Sequence, residues 1–238
     1  MEQDLAEAAS KRFERARFKA FWNAALGFLA GRDDHLVSWE HARQELDVQG
    51  QSSLKLISVP LAQIIGTVGR YEDFDRAFLP THDSLLDRWR AIDQAYEAGI
   101  PLPPIQLYQV GEAYFCVDGH HRVSVARQRG MRYLEAQVIQ VETKVPVSGH
   151  LDDKELAIRG EYARFLKRTR LDELRPEQQI EFTLLGGYDR LLKQIELYAL
   201  ERDDPGISEE TICDWYDHSY QPLVEIIRWQ NILADFPA

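Results

Sequence analysis

Residues 105–141 constrain the fold of this chain more than any other stretch. Two β-rich runs, 105–110 and 114–117, flank the pair Gly111-Glu112, which is the pattern of a β-hairpin. The second run leads into Asp118-Gly119-His120-His121-Arg122. Residues 123–130 decide the topology. If Val123 and Val125 begin a third strand, Asp118-Gly119 is simply another hairpin turn. Ala126, Arg127, Gln128 and Arg129 instead favour helix, the valines oppose it by only tenths of a kcal/mol each, and Gly130 is a good stop. A further β-rich run, 133–141, comes next. Hairpin, short helix and returning strand within so few residues imply a compact α+β unit.

The flanking sequence is helical. Residues 3–30 contain no proline, and Leu5, Ala9, Phe13, Ala16 and Ala20 form a stripe at helical spacing. Beyond Ala20 both faces turn apolar, so that end is expected to be buried, with Gly31 as its stop. A short helix is predicted over 38–46 with Ser38 as N-cap. Residues 50–53 read as a polar linker, and a strand after them ends at Pro60. Residues 66–80 read as a loop, and residues 83–99 as a helix closed by Gly99. From 151 onward helices are predicted near 151–170, 177–202 and 208–233. This gives an N-terminal helical segment over 1–50, an α+β domain over 54–145 and a C-terminal helical region over 150–238.

Charge narrows the function classes. Of a formal net charge of −11, residues 1–45 contribute 7 basic and 8 acidic side chains, residues 46–149 contribute 10 and 12, and residues 150–238 contribute 11 and 19. So acidic a chain has no global attraction to nucleic acid or to an anionic membrane. The basic-aromatic run 11–22 reads as an amphipathic helix rather than a nucleic-acid surface. The most apolar window, residues 18–30, is too short to span a bilayer. No secretory signal is seen at the start, and Cys116 and Cys213 show no metal-binding spacing, so a cytoplasmic location is expected. The aromatic-rich segment 213–230 reads as core or as an oligomer contact through the C-terminal helices.

The loop carries the candidate chemistry. Adjacent histidines diverge by about 100° on a helix, so His120 and His121 are poorly placed to chelate one ion, and no metal site is expected. With a helix beginning after Gly119, free backbone N–H groups and the helix dipole favour an anion there. Gly119 permits a positive φ, Arg122 offers a planar fork for phosphate oxygens, His120 and His121 are donors, and Asp118 would orient a histidine, cap the helix or hold magnesium.

Residues 56–141 resemble the ParB/sulfiredoxin superfamily. The resemblance runs through ISVPLAQI, the helix ending YEAGI, PPIQLYQVGEAYFCVDGHHRVSVARQRG and YLEAQVIQV, with a G-x-x-R loop before an alanine-containing helix. It implies a small mixed sheet with helices, and a loop formed by Asp118, Gly119, His120, His121 and Arg122 that binds the phosphates of CTP, ATP or ADP, with Mg2+. Departures narrow it. Sulfiredoxin has its reactive cysteine where His120 stands, so sulfinic acid repair is not expected. ParB has Gly-Glu-Arg-Arg at the loop, then Glu-Asn-x-x-Arg and a helix-turn-helix, and neither of the latter is present here. The leading expectation is a nucleotide-binding protein, regulatory in one reading. The second is a small-molecule kinase or other nucleotide-dependent enzyme, with Glu72 or Asp73 as base in the acidic loop; the structural alternative for that loop is a solvated segment with Phe74 and Phe78 plugged into the core. The third is a DNA-associated regulator.

Overall fold

The computed structural model describes residues 2–30 and 34–230. They divide into two compact units, Met1–Leu156 and Ala157–Ala238. The first is mixed α+β. Its elements in chain order are α1 (Glu2–Ala30), β1 (Val37–Ser38), α2 (Trp39–Glu45), β2 (Gln49–Pro60), β3 (Ile64–Thr67), α3 (Leu86–Glu97), β4 (Ile105–Val110), β5 (Ala113–Asp118), α4 (His120–Gln128) and β6 (Tyr133–Glu142).

The six strands form one sheet in the order β1-β3-β5-β4-β6-β2. β1, β3 and β5 run parallel, β4 is antiparallel to β5 and parallel to β6, and β2 closes one edge antiparallel to β6. Ser38 pairs with Thr67 and Thr67 with Cys116, so β1 and β3 finish in one row beside β5, which runs two residues further. Gly66 makes that row possible. A Cβ there would lie 2.3 Å from the Phe115 ring and 2.5 Å from the Val37 carbonyl oxygen.

α3 and α4 cover one face of the sheet, where Val59, Ile105, Leu107, Ala136 and Val138 meet Trp89, Val123 and Ala126. Trp89 is fully buried, donates its indole N–H to Ser124 Oγ at 3.0 Å and packs edge-on against Phe13 of α1. On the other face Trp39 stacks on Tyr108 at 4.7 Å. Ser38 caps α2 through the His41 amide, and Gly99 takes a positive φ just past the end of α3, both as the sequence predicts.

Three local expectations are corrected. Residues 50–53 belong to the backbone of β2 rather than to a linker, because β6 supplies pairing partners out to Glu142. β1 and β3 have no counterpart among the predicted strands, since neither shows alternation over more than four residues. The apolar end of α1 is not buried: Phe18, Phe21, Trp22, Leu26, Phe28 and Leu29 are all exposed. Its predicted stop, Gly31, lies outside the described residues.

The second unit is helical. α5 (Asp153–Thr169) leads into it, followed by α6 (Leu171–Leu174), α7 (Gly187–Leu200), α8 (Glu209–Trp215), a π-helical turn (Tyr216–Tyr220) and α9 (Gln221–Trp229). The helix predicted from 177 begins only at Gly187. Gly186 at φ +82 breaks the pattern, and a Cβ on Gly187 would meet the Phe182 ring at 2.3 Å. Trp215 and Tyr216 are core, whereas Trp229 is exposed. Among the described residues no helix is long and apolar enough to cross a membrane.

Candidate functional site

The site lies where β5 ends and α4 begins, at the carboxyl end of the parallel strands, the edge where open α/β sheets place their ligands. Gly119 is the N-cap of α4 at φ +103 and supplies no side-chain cap. The first intrahelical bond runs from the Val123 amide to the Gly119 carbonyl. The amides of His120, His121 and Arg122 therefore point out of the first turn without a carbonyl of their own helix to meet. Gly119 has a second reason to be glycine: a Cβ would stand 2.4 Å from Ile105 Cγ2. Gly119→Ala combines left-handed strain with a clash against a fully packed side chain, and is expected to cost about 2–3 kcal/mol in denaturant unfolding.

The two histidines are buried, at 4% and 6% exposure. His120 shares a 2.6 Å hydrogen bond between Nε2 and Thr67 Oγ1 on the neighbouring strand, and its ring stacks over Phe74 and Phe78. His121 stands edge-on to Phe74 at 5.3 Å. Its Nε2 is buried and has no hydrogen-bond partner. Both imidazoles are pushed down to about 4: burial is the largest cause for each, then Arg70 and His121 for His120, and Arg88 and Arg70 for His121. At neutral pH both rings are uncharged.

Arg122 does not project into the space before the amides. Its Nη1 donates to the carbonyls of Pro103 and Pro104, the latter at 3.0 Å, and its Nη2 pairs with Asp118 Oδ2 at 2.6 Å. The fork expected to hold phosphate instead ties the loop to the approach of β4. The other two arginines of this stretch are also engaged by the protein. Arg127 donates to the carbonyls of Leu61 and Ile64 at 2.6 and 2.7 Å, and Arg129 is held by Asp93 and Glu97.

The cations that help hold the two imidazoles low belong to other elements. Arg70 lies on the loop after β3 and acts electrostatically on both rings, and Arg88 of α3 acts on His121. Arg70 Nη1 pairs with Asp73 Oδ2 at 2.9 Å, and Asp73 is felt by both histidines. Glu72 is exposed, and its backbone carbonyl accepts the Thr81 hydroxyl. Phe74 and Phe78 are fully buried beside the histidines, as expected for plugs of this loop. Asp75 turns inward and caps the loop, accepting the amides of Ala77 and Leu79.

The structure thus gathers Gly119, His120, His121 and, through its pair with Arg70, Asp73. It turns Arg122 and Asp118 toward each other and brings Glu72 into no contact with the histidines. The residues missed from the sequence are Thr67 and Arg88. Thr67 carries no signal, whereas Arg88 is visible as a polar position one residue before the buried Trp89. A cavity of about 470 Å³ lies beside the Arg70 loop, lined by Gly69, Tyr71, Ser38, Glu40, His35 and His41 among others. Among the described residues no group of three or more His, Cys, Asp or Glu side chains is placed to hold a metal ion. Comparison with family models, curated proteins and solved structures finds no match for this chain.

Proposed function

We propose that the chain binds a nucleotide, CTP, ATP or ADP, by seating its phosphates on the first turn of α4. The observation that carries this reading is the buried, unpartnered Nε2 of His121 beside an uncapped helix N-terminus. A polar atom left so costs about 1–3 kcal/mol, and since it has no exposed surface a ligand oxygen relieves that cost only where its surroundings part to admit it. Three backbone amides and the dipole of a nine-residue helix favour negative charge at the same place. Arg70 and Arg88 supply the cations, and Arg122 holds the loop in shape through Asp118 and the proline carbonyls. A cavity of about 470 Å³ flanks the Arg70 loop at Gly69 and Tyr71. Magnesium would arrive on the phosphates, with the protein adding at most a carboxylate such as Asp73.

A kinase is the second reading, favoured by Asp73. Its carboxylate is tied to Arg70 and lies in the field of both histidines, where a base for a hydroxyl acceptor is needed. Glu72 has no such placement.

Thermal unfolding with each nucleotide, with and without Mg2+, tests the binding. At a hundred times its Kd a ligand stabilises by about 2.7 kcal/mol. The shift is expected to vanish in Arg70→Ala and to shrink in His121→Phe. Should no nucleotide or inorganic triphosphate raise the unfolding temperature at millimolar concentration, the reading fails. Nucleotide turnover that is accelerated by small hydroxy compounds and lost in Asp73→Asn would establish the kinase.

A further inference from the structure

We infer that the chain associates with a second copy of itself through the C-terminal half of α1, the two helices packed antiparallel about a two-fold axis. Phe18, Phe21, Trp22, Leu26, Phe28 and Leu29 are exposed, the last two at 86% and 81%. At about 100° per residue they occupy an arc of roughly 160° on the helix. The buried stripe Ala9, Phe13, Ala16 and Ala20 lies diametrically opposite, so the exposed arc is a second apolar face rather than the edge of the first. Phe18 and Phe21 both stand edge-on to Trp22, at 6.1 and 5.8 Å, giving the face a packed aromatic centre.

Area and charge select the occupant. The exposed portions of these residues amount to about four whole side chains. At roughly 150–250 Å² each that is on the order of 600–1,000 Å². A standard stable interface takes about 800 Å² from each partner. The face is bounded on its N-terminal side by exposed Arg15 and Lys19, with exposed Glu14 beside them and half-buried Arg17 already paired with Asp83 at 3.0 Å, so that end keeps a net positive charge. At its other end α1 has no basic residue in its last turn, where the helix dipole is negative, and Asp34 lines the adjoining groove. A parallel pair would stack the basic ends on each other. An antiparallel pair sets each basic end against the partner's negative helix end, and it places Phe18 across from the partner's Leu29. Such an interface is self-complementary, as a two-fold dimer requires. The groove of about 430 Å³ between Phe21, Phe28 and Asp75 gives a partner aromatic a place to insert. A membrane surface fits less well, because a chain of net charge −11 is repelled by anionic lipid.

Sedimentation of the full chain from 1 to 100 µM tests this. Two copies are expected, and Trp22→Glu with Leu29→Glu should weaken association more than about a hundredfold by burying unpaired carboxylates. These side chains are exposed, so the circular dichroism spectrum should be unchanged, while the unfolding temperature should lose its dependence on chain concentration. In a Cys213→Ser background, an equimolar mixture of Phe18→Cys and Leu29→Cys chains should cross-link in excess of either alone. Three results would overturn the inference. One is a single copy at 100 µM. Another is a dimer that survives these substitutions but is lost with Ile226→Glu and Trp229→Glu on α9. The third is a single copy that sediments with phosphatidylserine vesicles through the same α1 residues.

Discussion

Asp93→Ala is expected to lower the stability of the α+β unit by about 3–5 kcal/mol, the range for removing one member of a buried ion network. Asp93 is fully buried on α3 and receives guanidinium groups from two other segments. Arg12 of α1 reaches its Oδ2 with Nε at 2.8 Å and Nη2 at 2.7 Å, and Arg129, just past α4, reaches its Oδ1 with Nε at 2.6 Å. Arg129 also donates to the Asp93 carbonyl at 2.9 Å and to Glu97 at 2.7 Å. Without the carboxylate two cations face each other, with Glu97 alone to answer them. At about 2–4 °C per kcal/mol for a unit of this size, the unfolding temperature should fall by roughly 10 °C. Asp93→Asn keeps the shape but not the charge and should lose nearly as much. Replacing all three residues together, with Leu at 93 and Met at 12 and 129, should recover most of the loss, because apolar packing commonly equals a buried ion network. Urea unfolding of the four proteins decides it. A loss below about 1 kcal/mol in Asp93→Ala would show that the network contributes no more than a surface pair.

How far the sequence reveals this architecture depends on the range of the forces involved. The β4–β5 hairpin, the start of α4 at His120 and the stop at Gly130 are legible because glycines and local periodicity define them within a few residues. β2 reads too short because Gln49 and Gly50 carry no strand signal of their own and are held by β6, far along the chain. The site is legible in half. Gly119 is legible as the start of α4, and the backbone takes the positive φ expected there. The partners of Arg122 are carbonyls of Pro103 and Pro104, and a backbone carbonyl leaves no mark in composition. Arg70 and Arg88 approach from other elements, so their roles depend on the tertiary fold. The exposed end of α1 shows the same limit. An apolar face declares that it must be covered, without declaring whether the same chain covers it.

Acid is expected to destabilise the α+β unit steeply between about pH 6.5 and pH 4, through His120 and His121. Each imidazole is held near 4 in the folded chain against an ordinary value near 6.5, burial being the largest cause for both. As pH falls through 6.5 the unfolded chain takes up two protons that the folded chain refuses, so stability falls with pH and levels off for these groups below about 4. At about 1.4 kcal/mol for each tenfold change in proton affinity, one ring is worth on the order of 3 kcal/mol. The share of His120 includes repulsion by a charged His121, so the two rings do not titrate independently. Asp75 works in the opposite sense: burial, partly offset by hydrogen bonds from Leu79, Asn23 and Ala77, raises its carboxyl, so the folded chain takes that proton first. Urea unfolding at pH 7.5, 6, 5 and 4.5 should show the slope, and His120→Gln and His121→Gln should each flatten it. Stability that stays level from pH 7 to pH 5 would mean that the rings titrate normally. The same groups connect acid to the proposed ligand. A phosphate oxygen on His121 Nε2 favours the protonated ring, so binding and protonation assist each other. The thermal shift produced by a nucleotide should therefore be larger at pH 5.5 than at pH 7.5, and His121→Gln should abolish the difference while leaving the backbone amides in place.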